Sequence, residues 1–215
     1  MTFPHPVEPD QAEPEPPLSR AAKASTSSPL LTSQIRYEYA SSRCVSSHFV
    51  LVSFPGSLSC TQHHLYVQRD TAMGWVLFAD VMRRWNYFFL ESGGGTYNCR
   101  TIAGSSEWSL HAYALALDLN PSKNPDGSTQ TDQPEGFRAD CKALVAGNRR
   151  IFMWGGDWLG HYIDTMHWQI GALKSDFAQG CYDPNVTRAE QIESLQREPA
   201  IYEANPNTVL LDTLA

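Results

Sequence analysis

The chain reads as an α+β protein, a small antiparallel sheet covered by helices, and three observations predict it. Short apolar runs end at turn residues, one aromatic-rich stretch has helical spacing, and a leucine-rich stretch near the middle alternates with period two. With 215 residues, 42% hydrophobic and 11% aromatic, the chain can bury one core. One domain with tails is expected.

Residues 1–35 crowd prolines with Glu, Ser and Ala, as in Glu13-Pro-Glu-Pro-Pro17. Such a composition buries too little apolar surface to offset ordering entropy and predicts a disordered leader. The domain is expected over 36–180. Phe49–Phe54, stopped by Pro55-Gly56, and Leu65–Gln68 predict a strand pair near a sheet edge. Phe78, Val81, Met82, Trp85, Phe88 and Phe89 recur at helical spacing, opposite Asp80, Arg83 and Arg84, until Gly93-Gly-Gly95 interrupts them. A helix on the sheet is predicted there.

Leu115–Leu119 alternates as a strand, with Ala116 and Asp118 on one face. Residues 120–134, rich in Pro, Asn, Asp, Gly, Ser and Thr, predict a long polar loop, followed by a helix over 137–145. Ile151–Trp154 is an apolar strand ending at Gly155-Gly156, and Thr165–Ile170 is another short strand. Residues 181–215 are a polar tail with one weak helix, 187–196.

Net charge is −7, with no basic stripe to neutralise phosphates, so nucleic acid is not an expected partner. No apolar run reaches the eighteen residues of a membrane span, and the N-terminus has no basic segment followed by an apolar one. The expectation is a monomer without membrane insertion, made in the cytoplasm without a signal peptide. The five cysteines, 44, 60, 99, 141 and 181, include no Cys-x-x-Cys pair. Most are expected reduced and partly buried, with one bridge such as Cys44 to Cys60 left open.

Chemistry concentrates in Ser109-Leu-His111, Asp118 and Asp164-Thr-Met-His167. A catalytic zinc site takes three nitrogen or oxygen ligands and keeps a position for water, which His111, Asp118 and His167 can satisfy with Asp164 acting on the water. Each residue alone has a plainer reading. A single His in an apolar segment is more often a hydrogen-bonded core residue, and Asp164 alone is an ordinary turn residue. Asp118 is harder to dismiss, because a buried unpaired carboxylate costs several kcal/mol unless a cation meets it. Zinc explains the three together better than three separate accidents do.

The same residues carry a family resemblance. Tyr97-Asn-Cys-Arg100, Ser109-x-His111, Ala116-x-Asp118, Trp154-Gly-Gly-Asp-Trp158 and Asp164-x-x-His167, in this order over roughly residues 45–175, resemble the zinc D-Ala-D-Ala carboxypeptidase and L-Ala-D-Glu endopeptidase family. The likeness is closest to its branch with phage endolysin peptidases. It implies a Hedgehog/DD-peptidase-like zinc peptidase fold, a Zn2+ cofactor, and a metallopeptidase that cuts stem peptides of peptidoglycan and acts on the cell wall after release. It implies His111, Asp118 and His167 as zinc ligands and Asp164 as the catalytic carboxylate. Arg100 would hold the scissile carbonyl or a substrate carboxylate, and Ser109 would contact substrate or orient His111. Where the family pattern Ser-x-His-x-x-Gly-x-Ala-x-Asp has glycine, this chain has Ala114, strained if the backbone there needs positive φ.

Trp108, Tyr113, Trp154, Trp158 and Trp168 surround these motifs. Trp168 is taken as a substrate contact, although core packing is the commoner role of such residues. Arg100 competes with a plain surface pairing to Glu107. His63-His64 is read as surface, because neighbours on a strand face opposite ways, and His161 as structural. The Asn185-Val-Thr187 sequon is set aside. Two other functions stay open: an inactive zinc-containing module that binds cell wall or protein, and a cysteine peptidase or amidase using Cys99 or Cys44.

Overall fold

A computed structural model describes residues 27–56, 62–90, 94–196 and 201–203, the side chains of 62, 63 and 201–203 excepted. Within them the chain is mixed α and β, with three small sheets in place of the one expected. In chain order the elements are α1 (Thr32–Glu38), β1 (Phe49–Pro55), β2 (Gln62–Gln68), α2 (Ala72–Arg84), β3 (Ala116–Asp118), α3 (Glu135–Ala143) and β4 (Val145–Ala146). There follow β5 (Arg149–Arg150), β6 (Phe152–Trp154), β7 (His167–Ile170), α4 (Lys174–Phe177), β8 (Cys181–Tyr182), α5 (Arg188–Gln196) and β9 (Ile201–Glu203). The sheets are ordered β2-β1-β9, β3-β7-β6 and β5-β4-β8, and every pair is antiparallel. No described helix is long and apolar enough to cross a membrane.

The β1–β2 pair forms as its apolar runs dictate, but β1 is the central strand, because β9 covers its other edge. The α2 helix stops at Arg84, well before the glycines, where Asn86 takes φ 51. Asn tolerates that left-handed conformation and so ends the helix. Phe88 and Phe89 therefore lie beyond it. Asp80, expected on the outer face, is buried, bonded to Ser194 of α5 and paired with Arg84 at 3.5 Å.

Both predicted boundaries shift outward. The leader lies mostly outside the described residues, but residues 27–35 are folded: Ser27 bridges to Arg149, and Ile35 of α1 is fully buried. The expected tail also packs. Cys181–Tyr182 extends the sheet of β4, Asp183 pairs with Arg84, and α5 follows as expected. A weakly amphipathic sequence gave no hint of these contacts, which come from buried ion pairs and strand edges.

The core sits between α2 and the far face of the β3-β7-β6 sheet. Phe78 of α2 meets Phe152 at 5.0 Å, Trp168 at 5.2 Å and Phe137 of α3 at 5.8 Å, all edge to face, a preferred aromatic geometry.

Cys44 and Cys99 form a disulfide, which corrects the suggested partner Cys60, while Cys141 and Cys181 are free thiols, buried and half-buried, as expected of most of the cysteines. Sequence spacing cannot show this pairing, because it depends on where the chain returns. The bridge closes a loop with 55 residues of separation. Cys99→Ser is expected to cost about 2–4 kcal/mol by constraining the unfolded chain less. Urea unfolding with and without reductant checks this, and a midpoint unmoved by both mutation and reductant contradicts it.

Candidate metal centre

The first histidine is placed by a short turn. Ser109, extended at φ −63 and ψ 147, caps the 3-10 turn Leu110–Tyr113, and its Oγ accepts from the His111 backbone N–H at 3.3 Å. The His111 ring is buried. Its Nδ1 lies 2.8 Å from the Thr96 carbonyl, which can only accept, so Nδ1 carries the proton. The lone pair of Nε2 then faces the site.

Ala114 closes the turn at φ 54 and ψ 39, fully buried. The strain foreseen for this alanine is present, because Cβ is crowded in left-handed backbone at a cost of roughly 1–2 kcal/mol. Ala114→Gly is expected to stabilise the protein by about 1 kcal/mol, glycine's greater unfolded freedom offsetting part of the relief. Thermal unfolding reads this directly; a lower melting temperature in the variant would refute it.

Asp118 and His167 come together through strand register. They are directly opposed across β3 and β7, as are Ala116 and Gln169, with Leu117 and Trp168 paired between them. Opposed residues share a face, so Asp118, His167 and Gln169 point one way and Trp168 the other. The other edge of Asp118 is held by Gly95, whose N–H donates to the Asp118 carbonyl at 3.1 Å and whose carbonyl accepts at 3.0 Å. A Cβ on Gly94 would lie 2.4 Å from the Asp118 carbonyl oxygen, so this close approach requires glycine. The run read as a helix stop therefore seats a site strand.

Asp164 sits on the turn before β7. Its N–H donates to the Gly155 carbonyl at 3.1 Å, and a Cβ on Gly155 would lie 2.3 Å from its own carbonyl. Across from it, Asp126 of the long loop forms an isolated antiparallel bridge. Asp164 Oδ1 is buried with no hydrogen-bond partner. Burial, with the nearby charges of Asp118 and Asp126, pushes its carboxyl up to about 6, against the opposing pull of His167 and His111. Asp118 moves the other way. Burial alone would raise its pKa, but the His111 and His167 rings beside it outweigh burial and hold the carboxyl well below the usual carboxylate range.

Asp118 Oδ1 lies 3.2 Å from His111 Nε2 and 3.1 Å from His167 Nδ1, and the donor atoms of the three residues all fall within 4.8 Å of one another. Donors at 2.0–2.1 Å from a tetrahedral centre stand about 3.3 Å apart. His111 Nε2 is moreover buried without a hydrogen-bond partner, costly unless an electrophile meets it. The residues present thus fit a zinc-type ion.

The other expected site residues divide. Ser109 bonds to the His111 backbone as described. Arg100 is exposed, its Nη1 3.5 Å from the Thr101 carbonyl; its alternative partner Glu107 pairs instead with Arg36 at 2.8 Å. Trp168 is corrected from substrate contact to core: it is fully buried, and its indole N–H donates to Gln133 Oε1 at 2.9 Å. Trp158 stands nearer the chemistry, its ring 5.3 Å from that of His167. Three contributors went unread in the sequence: the Thr96 carbonyl, Gly94 and Gln169, whose Oε1 lies 3.2 Å from His167 Nε2. For Gln169 the signal was there, two residues beyond His167 on the same strand face.

Two imidazoles and a carboxylate within ion-binding distance, beside a carboxyl of raised pKa, are a group that could hold a single metal ion. Residues 103–170, which hold all four side chains, match the family model described as D-alanyl-D-alanine carboxypeptidase. That is the peptidase family the motifs resemble. Arg100 lies outside the matched stretch. Neither curated proteins nor solved structures gave a match.

Proposed function

We propose that the protein is a zinc peptidase with a Hedgehog/DD-peptidase-like fold that hydrolyses stem peptides of peptidoglycan, at an L-Ala-D-Glu or a D-Ala bond, as a phage endolysin does. The observation that carries this reading is the His111, Asp118 and His167 donor set, with an unpartnered Nε2, next to the half-buried carboxyl of Asp164. The match over residues 103–170 supports a peptidase.

His111 Nε2, an Asp118 carboxylate oxygen and His167 Nδ1 would hold the ion. When bound, zinc supplies a Lewis acid that lowers the pKa of water and polarises a carbonyl. Asp164 takes the proton of the attacking water on its carboxylate and returns it to the leaving amine, and a pKa of about 6 suits both halves of that transfer near neutral pH. Arg100, on the segment joined to the Ser109 turn by the Ser109 N–H to Arg100 carbonyl bond at 3.2 Å, is assigned to the substrate carbonyl or carboxylate.

The cysteine-nucleophile alternative loses its candidates, since Cys44 and Cys99 are joined to each other. A disulfide also suits work outside a reducing cytosol, in line with action on the wall after release. Mass spectrometry of purified peptidoglycan digested by the protein tests the proposal. New termini at L-Ala-D-Glu or D-Ala bonds, lost with a zinc chelator and restored by zinc, are expected. Zinc bound without any new termini would favour the inactive binding module.

A further inference from the structure

We propose that the Cys44–Cys99 disulfide is a positioning element that clamps the turn carrying His111, so that the redox state of the bridge sets how tightly the centre holds its ion. The inference rests on the metal-centre reading above. Two carbonyls of the Leu110–Tyr113 turn are gripped from the two ends of the bridge. The Cys44 N–H donates to the Ala112 carbonyl at 2.7 Å, and the N–H of Asn98, the residue before Cys99, donates to the His111 carbonyl at 3.1 Å. With the S–S bond these contacts close a ring that runs from Cys44 through Cys99, Asn98, His111 and Ala112 back to Cys44.

The ring fixes a strained turn. Ala114 at its end takes φ 54 and Cys44 takes φ 57, both left-handed and neither glycine. Backbone of that kind persists only where its surroundings hold it. The segment of Cys99 also reaches the side chain of His111, since the Thr96 carbonyl lies 2.8 Å from Nδ1, and Arg100 follows next in the chain. Without the S–S bond the segments of Cys44 and Cys99 are no longer joined to each other, and the ring around His111 opens.

The bridge is open to a reductant, because Cys99 is exposed and Cys44 only half-buried. Exposed disulfides are the labile and regulatory ones. Reduction breaks the S–S bond: two thiols of a low-molecular-weight donor such as glutathione become its disulfide, and their two electrons and two protons pass to Cys44 and Cys99. The exchange runs backward in oxidising surroundings. Its coupling to the ion is reciprocal. An oxidised protein that binds zinc more tightly makes bound zinc protect the bridge from reduction by the same factor. A bridge that only constrains the unfolded chain has no such effect, because it leaves the folded site unchanged.

The test measures the reduction potential of the Cys44–Cys99 couple in the full chain, in glutathione buffers with free zinc set by a metal buffer, read by mass spectrometry of alkylated thiols. Zinc affinity is expected to fall by about 10–100-fold on reduction, the usual cost of losing the support behind a ligand. The potential should then drop by about 30–60 mV at saturating zinc, at about 30 mV per tenfold. Cys44→Ala combined with Cys99→Ala should show the weaker affinity in oxidising and reducing buffer alike. In metal-free protein, amide hydrogen exchange should speed up at Cys44 and Asn98 on reduction, with the amides of β7 unchanged. A potential that zinc does not move overturns the inference, as does one that rises, which would show the freed thiols taking the ion. Equal loss of protection in β7 also overturns it, making the bridge a brace of the whole fold. If the double variant does not fold, reduced wild type decides. Absence of zinc binding by oxidised wild type would instead overturn the metal reading, and amide exchange alone then decides whether the bridge clamps the turn.

Discussion

Asp164→Asn is expected to keep the fold and the bound metal while lowering peptide hydrolysis by about 10²–10⁴-fold, the usual worth of a general acid–base group. The same variant should be more stable than wild type in the metal-free state at neutral pH. A carboxyl raised from 3.8 to about 6 holds its proton more tightly folded than unfolded, so its ionisation costs stability. The cost is absent below the unfolded value, grows as pH rises from there to about 6, and stays constant above. At 1.36 kcal/mol per pKa unit the difference amounts to about 3 kcal/mol, and partial access to solvent reduces it to about 1–2 kcal/mol. Asparagine cannot ionise and escapes this cost. Urea unfolding of metal-free protein should show Asp164→Asn ahead at pH 7.5 and level with wild type near pH 4. Full activity in the variant would remove Asp164 from the chemistry. A stability gain independent of pH would show that packing, and not charge, is what Asp164 strains.

What the sequence made legible is local. The run Phe49–Phe54, the alternation ending at Asp118, and the strand carrying His167 are written in adjacent side chains, and the structure forms β1, β3 and β7 there. Once two strands pair antiparallel, facing Asp118 and His167 follows from register. The illegible parts depend on chain return. Nothing near Cys44 names Cys99 as its partner, and nothing in the Pro-rich beginning shows that Thr32 reaches Gln169. Trp168 is a different case. The alternation that set His63 and His64 on opposite faces also turns Trp168 away from the face of His167. Strand geometry, not aromatic density near a motif, governs where such a ring lies, and that of Trp168 is fully buried.

Loss of a metal-binding side chain should have the largest effect on metal content. His111→Ala and His167→Ala each remove one of three donors, and each is expected to weaken zinc binding by well over about 100-fold, more than loss of an outer-shell partner costs. Asp118→Asn should be milder, because an amide oxygen can still reach the ion but supplies no charge. Elemental analysis after gel filtration separates the three, and thermal unfolding excludes the trivial cause. An ion that binds only the folded state stabilises it by about 2.7 kcal/mol at a concentration of 100 times Kd. Wild type should therefore gain melting temperature with zinc, Asp118→Asn should gain less at equal zinc, and the histidine variants should gain nothing. A histidine variant that holds wild-type zinc would remove that histidine from the donor set. If Asp118→Asn proved worse than either histidine variant, charge would outweigh donor count: Asp118 is the donor that brings negative charge to the point where His111 Nε2 and His167 Nδ1 converge on its Oδ1.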